Sequence, residues 1–245
     1  MPSAIRRLGV LVLGLMLVGC AAMRPGAPAL LSDSVQALLP HADGDHFVYV
    51  WERIVDGQRI AQGIQVEHVT VVTAAEFEIS MSEDGRPAGR VRLRDDGHAV
   101  WLLSEDDLTR GLGLSYDPPL LQFQAPVVAG EYRAAATATM TTLANSQVAG
   151  TVGVTQTITL SSAPAARAAV GTFPKTVAVR AVRTLQLLQG DTELHSESIL
   201  APGIGEIRSE GSASGTPALR RELACAIIGG ARLGDCSKLN ERWKD

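Results

Sequence analysis

Several short groups of polar residues carry side chains that could do chemistry. His41-Ala42-Asp43-Gly44-Asp45-His46 alternates carboxylates with imidazoles, and such groups can bind a divalent cation. An Asp-Gly turn ahead of a strand explains the same residues, and it also accounts for Gly44. We therefore favour the turn and predict no metal site.

Glu105-Asp106-Asp107 contains paired carboxylates of the kind that acid–base catalysis uses. The group follows a predicted strand and precedes Leu108, so we interpret it as capping a single surface turn over residues 105–110. His195 and Ser196 are neighbours on another predicted strand, where their side chains point to opposite faces. We predict no catalytic residue and no enzyme activity.

Arg90, Arg92 and Arg94 form a basic row on one face of a predicted strand. Such a row could contact a partner or a phosphate. The alternative that we favour is a solvated face whose arginines pair across the strands with Glu76 or Glu78.

The elements that position these residues are mainly strands. Phe47-Val48-Tyr49-Val50-Trp51 alternates with a period of two, and Asp56-Gly57 is a typical hairpin turn. About ten to twelve strands follow one another through short turns, with no helix long enough for a parallel crossover. Ser32 could cap one short helix over residues 33–39, which Pro40 would end.

The predicted fold class is therefore mainly β: a single antiparallel meander that curls into a half-open barrel or a strongly curved sheet, with one short N-terminal helix. It would occupy residues 32–245 as one domain. Ile64 and Val66 have the opposite parity to Val69 and Val71, which predicts a bulge or a change of face near His68.

The N-terminal stretch predicts where the protein is located. Arg6-Arg7 precedes a short apolar run, and the run closes as Leu17-Val18-Gly19-Cys20, which resembles the lipobox of bacterial lipoproteins. The apolar run is too short for a transmembrane helix, which needs about 20 residues. A plain secretory signal would fit the charges, but it would not require Cys20.

The lipobox resemblance implies that residues 1–19 are a removed signal peptide and that Cys20 carries the acyl chains. Residues 20–31 would then be a lipidated tether, since Pro25, Gly26 and Pro28 leave little to pack. Ala21 stands where an aspartate would favour the inner membrane. The resemblance thus implies an outer-membrane anchor, with the protein facing the periplasm.

Charge and cysteine content narrow the function further. Loss of Arg6 and Arg7 with the signal takes the formal charge from −4 to −6, so no general basic surface is available for nucleic acid. Cys225 and Cys236 are an even pair in an oxidising compartment, which favours a disulfide over a metal or redox site. No cofactor is predicted.

Four stretches resemble, in order, a broad group of poorly characterised bacterial envelope lipoproteins. They are residues 40–49 (Pro-x-x-x-Gly-x-x-Phe-Val-Tyr), 116–123 (Tyr-x-Pro-Pro-Leu-x-x-Phe), 170–173 (Val-Gly-Thr-Phe) and 201–207 (Ala-Pro-Gly-Ile-Gly-Glu-Ile). The third departs from the group because Pro174 delays the strand that should follow.

The resemblance implies a curved β-meander similar to the half-open barrels of the lipoprotein carriers LolA and LolB, and it transfers no catalytic residue. The expected function is a non-enzymatic binding or assembly module, attached to the membrane through its acyl chains and recognising an envelope protein. The alternative is a carrier or sensor of a lipid or other apolar ligand.

Overall fold

In the computed structural model, residues 27–213 and 216–236 are described. Within these ranges the chain forms strands and turns but no helix, and accordingly no helix there has the length and apolarity needed to span a membrane. The predicted signal peptide and Cys20 lie outside the described residues. The domain boundaries drawn from the sequence therefore stay predictions.

Seventeen strands occur in the described residues. The first nine are β1 Leu30–Ser32, β2 His46–Val55, β3 Gln58–Val71, β4 Glu76–Glu83, β5 Arg86–Asp95, β6 Ala99–Asp107, β7 Leu112–Gln124, β8 Val127–Val128 and β9 Gly130–Thr142. The remainder are β10 Gln147–Ala163, β11 Ala166–Ala168, β12 Gly171–Phe173, β13 Thr176–Leu187, β14 Gly190–Ala201, β15 Gly205–Ala213, β16 Ala218–Ile228 and β17 Ala231–Gly234.

Twelve of these strands form a closed antiparallel barrel. Their order is β15-β14-β13-β10-β9-β7-β6-β5-β4-β3-β2-β16, and β16 also pairs with β15, which completes the ring. Most neighbours are consecutive hairpin partners, as a meander requires. The closing seam is short, running from Arg208 opposite Glu222 to Gly211 opposite Leu219.

The half-open barrel predicted from the sequence is therefore wrong, because β16 closes the sheet into a ring. Ala218 starts an eleven-residue strand, β16, that pairs with both β2 and β15. Without β16, both of those strands would present unpaired backbone groups to solvent. Closure satisfies both edges at once.

The predicted N-terminal helix is also wrong. Leu30–Ser32 forms β1, which pairs with β8, and the chain then makes one turn in which the amides of Leu38 and Leu39 both donate to the carbonyl oxygen of Val35. A single turn is too short to propagate as a helix. The apolar face predicted for this segment is nevertheless present, since Val35 and Leu38 are buried.

Of the two alternatives predicted near His68, the bulge is absent, because β3 pairs with β4 without interruption from Gln65 to Val71, and the apolar residues change face instead. Val69 packs inside the barrel, while Ile64 packs on the outer wall with Val48 and Cys225.

One end of the barrel is closed by segments outside the ring. Val35 and Leu38 of the N-terminal turn, Val127 of β8 and Ala168 of β11 belong to the same core cluster as the inward-facing residues of the barrel. Eight strands suffice for side chains to fill a barrel, so twelve strands enclose more space than side chains alone occupy. The unfilled space forms the cavity described next.

Candidate ligand-binding cavity

A cavity of about 270 Å³ lies inside the barrel beneath the N-terminal turn. Its lining is largely apolar, and it is contributed by strands from around the ring, as with Phe47, Ile79, Leu93, Val179 and Leu200. The volume equals that of roughly nine molecules of liquid water, which is close to the lower limit of ordinary small-molecule sites.

One wall of the cavity is charged. Tyr49 on β2, Glu67 on β3, Glu206 on β15 and Arg221 on β16 all line it. These strands are neighbours at the point where the barrel closes, and the register places Trp51 opposite Arg221 and Gln65 opposite Tyr49. The closing seam therefore brings together side chains from both ends of the chain.

Arg221 is the centre of this charged wall. Its Nε donates to Glu206 Oε1 at 2.7 Å and to Ser209 Oγ at 2.9 Å, and its Nη1 donates to Glu67 Oε1. The guanidinium also stacks on the ring of Tyr49, with its carbon atom 4.6 Å from the ring centroid. Only about a fifth of the Arg221 side chain is exposed, so the charge depends on these partners.

The protonation states follow from the surroundings of each group. Burial raises the pKa of Glu206, but Arg221 and the hydrogen bonds from Ser209 and Ser198 outweigh burial and bring that pKa below its ordinary value. Burial lowers the pKa of Arg221, but Glu206 and Glu67 hold that pKa well above its ordinary value. Burial, reinforced by the two carboxylates, raises the pKa of Tyr49 well above its ordinary value. The wall thus contains carboxylate, guanidinium and neutral phenol.

A second charged network lies inside the barrel, and its members bond to one another. Arg183 Nη1 donates to both carboxylate oxygens of Glu105, at 2.9 and 3.0 Å, and Arg183 Nε donates to Gln156 Oε1. Tyr116 donates to Glu105, and Gln156 donates to the carbonyl oxygen of Leu121. Burial would lower the pKa of Arg183, but Glu105 and Tyr116 raise it overall. None of its members lines the cavity.

The segment over residues 41–46 is a turn, as the favoured interpretation has it. Asp45 Oδ2 accepts from the amide of Ala42, and Asp45 Oδ1 accepts from the amide of Gly229, so the carboxylate caps backbone groups. His41 stacks on Phe77 and pairs with Asp95 at 3.1 Å. Among the described residues, no group of three or more potential metal ligands was found.

The interpretation of Glu105-Asp106-Asp107 as a surface turn is only partly right. Asp107 does cap a turn, accepting from the amide of Arg110. Glu105, however, lies within β6 and points into the barrel, where it pairs with Arg183. Asp106 pairs on the outer wall with Arg90.

The prediction for the basic row is confirmed for Arg92 but not for Arg90, which pairs with Asp106 on the other neighbouring strand, and the predicted disulfide is present. Arg92 pairs with Glu76 at 2.6 Å on the outer wall. Cys225 and Cys236 form a disulfide, and it covers the outer apolar cluster.

Sequence reasoning missed the inward-facing charges. Glu67, Glu206 and Arg221 were absent from the predicted site residues, as was Arg183. A signal was present, because Arg221 stands between Leu219 and Leu223 on the apolar parity of its strand, and Arg183 precedes Leu185 in the same way. A charged residue on the apolar face of a strand that is buried by its neighbours indicates an interior site.

Comparisons with known proteins add little to this geometry. No protein-family model matches the chain, and no curated protein matches it. Two solved structures are similar. One is a provisionally assigned lipoprotein from Parabacteroides distasonis ATCC 8503, with 12% identity and a TM-score of 0.48 over 75% of this chain and 95% of that chain.

The other is a provisionally assigned exported protein with a YmcC-like fold from Bacteroides fragilis NCTC 9343. It shows 14% identity and a TM-score of 0.47 over 75% of this chain and 95% of that chain. Both TM-scores lie below 0.5, so neither similarity assigns a function to this chain.

Proposed function

We propose that this protein is a lipid-anchored envelope protein that binds a small, mainly apolar ligand inside its barrel. The observation that carries the proposal is the cavity of about 270 Å³, which has an apolar lining and one charged wall. An apolar pocket with a few convergent polar groups is the usual form of a small-molecule site. A module serving only protein assembly would not need such a cavity.

The proposed function is not enzymatic. Glu67, Glu206 and Glu105 each accept hydrogen bonds from an arginine, which leaves each carboxylate tied to a cation rather than poised to move a proton. We propose an outer-membrane location facing the periplasm. This location depends on the lipobox resemblance at Cys20.

Ligand binding can be tested with n-octanol, whose nine heavy atoms suit the cavity volume. Binding to the mature chain, made without acylation as its Cys20→Ser form, would be followed by isothermal titration calorimetry. Val179→Phe places a ring in the cavity and should weaken binding about tenfold or more, or 1.4 kcal/mol.

The matched control is Arg180→Phe, which puts the same ring on the next residue, whose side chain is exposed on the outer wall. It should leave the octanol affinity unchanged. Equal loss in both variants, or no octanol binding by a folded wild type, would contradict the cavity as the binding site.

The anchor is tested separately by fractionating cells that express Cys20→Ala. This change should abolish cleavage before residue 20 and the incorporation of labelled palmitate. A Cys20→Ala protein that is processed and acylated like the wild type would refute the anchor without affecting the proposal on ligand binding.

A further inference from the structure

The charged wall of the cavity holds an unequal number of charges. Among the residues that line the cavity, Glu67 and Glu206 carry carboxylates, and Arg221 carries the one guanidinium. The nearby phenol of Tyr49 stays neutral because burial raises its pKa. The wall therefore has a net charge of one unit negative, in an environment where water screens it poorly.

The two carboxylates differ in how fully their partners engage them. Both oxygens of Glu206 are in use, since Oε1 accepts from Arg221 and Ser209 and Oε2 accepts from Ser198. The hydrogen bonds that the described residues donate to Glu67, from Gln65 and Arg221, both end on Oε1. Its Oε2 receives none from the part of the chain that the structure describes.

Glu67 is 8% exposed, and it lines the cavity. Glu67 Oε2 has no donor among the described residues but is reached by solvent, so a ligand that donates to this oxygen takes the place of water, and a cationic donor makes the stronger, charge-assisted hydrogen bond. A cationic donor would also neutralise the excess negative charge, whereas an anionic ligand would add a third negative charge beside Glu67 and Glu206. The geometry thus separates ligand classes by the charge of their polar end.

On this basis we propose that the cavity selects small amphipathic ligands with a cationic hydrogen-bond donor, such as a primary alkylamine, which donates to Glu67 Oε2. The alkyl part contacts the apolar lining formed by residues such as Phe47 and Leu93. This inference rests on the proposed function, because it specifies the ligand class of the same cavity.

The test is a series of three probes with one chain length and different charge: n-octylamine, n-octanol and n-octanoate. Each is titrated at pH 7 into the oxidised mature chain in its Cys20→Ser form. We expect octylamine to bind about tenfold or more tightly than octanoate, with octanol between them.

Glu67→Gln keeps the shape of the side chain and makes the wall neutral. It should remove the preference for octylamine over octanoate while leaving octanol binding as in the wild type. The matched control, Glu197→Gln, removes a carboxylate from the outer wall, where Glu197 pairs with the exposed Arg180. It should leave all three affinities unchanged.

Each result has a distinct meaning. If octanol binds and octylamine shows no advantage over octanoate, the charge selectivity is refuted and the binding function stands. If octanoate binds best, Arg221 rather than Glu67 determines the ligand, which also refutes the inference. If none of the probes binds to folded wild type, the proposed function fails. The wild-type series decides the question even where Glu67→Gln does not fold.

Discussion

Replacing Arg221 with methionine tests how much the charged wall contributes to stability. The substitution keeps most of the side-chain volume but removes the cation between Glu67 and Glu206, whose side chains are 11% and 17% exposed. Removing one partner of a buried ion pair costs about 3–5 kcal/mol, because the remaining charge stays buried without compensation. We expect Arg221→Met to lower the free energy of unfolding by about that amount at pH 7.

The assay is urea unfolding followed by tryptophan fluorescence, since Trp51 lies directly opposite Arg221 in the β2–β16 register. In thermal unfolding, the same loss of stability should lower the melting temperature by about 6–20 °C for a domain of this size. The loss should shrink between pH 7 and pH 4, because a carboxyl group without its cation can become neutral by binding a proton.

Arg180→Met is the matched control. Arg180 pairs with Glu197 on the outer wall, where both side chains are about two-thirds exposed, so its removal should cost less than about 1 kcal/mol. Equal costs for the two substitutions would refute the argument from burial. If Arg221→Met fails to fold at pH 7, adding Glu67→Gln and Glu206→Gln should restore folding, and continued failure would contradict the electrostatic explanation.

Three further predictions concern other parts of the barrel. Gly205 has a φ of +90°, and a Cβ there would lie 3.1 Å from Pro40 Cδ, so Gly205→Ala should lower the free energy of urea unfolding by about 1–3 kcal/mol; Gly211→Ala, with ordinary contacts, should not. The lowered pKa of Glu206 stabilises the fold above its ordinary pKa of 4.5, so the free energy of unfolding should fall as the pH drops below that value, and the fall should be shallower in Glu206→Gln. Cys236→Ser opens a loop with a sequence separation of 11, and it should lower the free energy of thermal unfolding by about 3 kcal/mol. Dithiothreitol should have the same effect on the wild type. No difference in either case would contradict the role of the disulfide.

The strands and their turns could be predicted because they depend on neighbouring residues. Asp56-Gly57 connects β2 and β3 as its sequence indicates, and Arg92 pairs across adjacent strands with Glu76. The disulfide was predictable from the count of cysteines. Each of these contacts requires no information about the opposite side of the barrel.

Barrel closure and the charged wall could not be predicted in the same way. Arg221 and Glu67 are 154 residues apart, and the sequence near either residue does not indicate the other. The apolar parity of Arg221 indicates an inward side chain, but its partners become apparent only once β16 is placed between β2 and β15. The resemblance to envelope lipoproteins gave more information, because its motifs include Phe47, Tyr49 and Phe123, which all line the cavity.

The late position of β16 in the chain has a consequence for biosynthesis. A chain that grows from its N-terminus has β2 through β15 available before Ala218 is added, and at that stage it can form only an open sheet with two unpaired edges. Contacts this distant in sequence also form slowly, which prolongs exposure of those edges. β16 then supplies the hydrogen bonds that close the ring, and it also supplies Arg221. The nascent chain therefore gains its closed wall and the counter-charge for Glu67 and Glu206 in the same step. Nascent chains released before Ala218 should therefore be targets for chaperones and proteases.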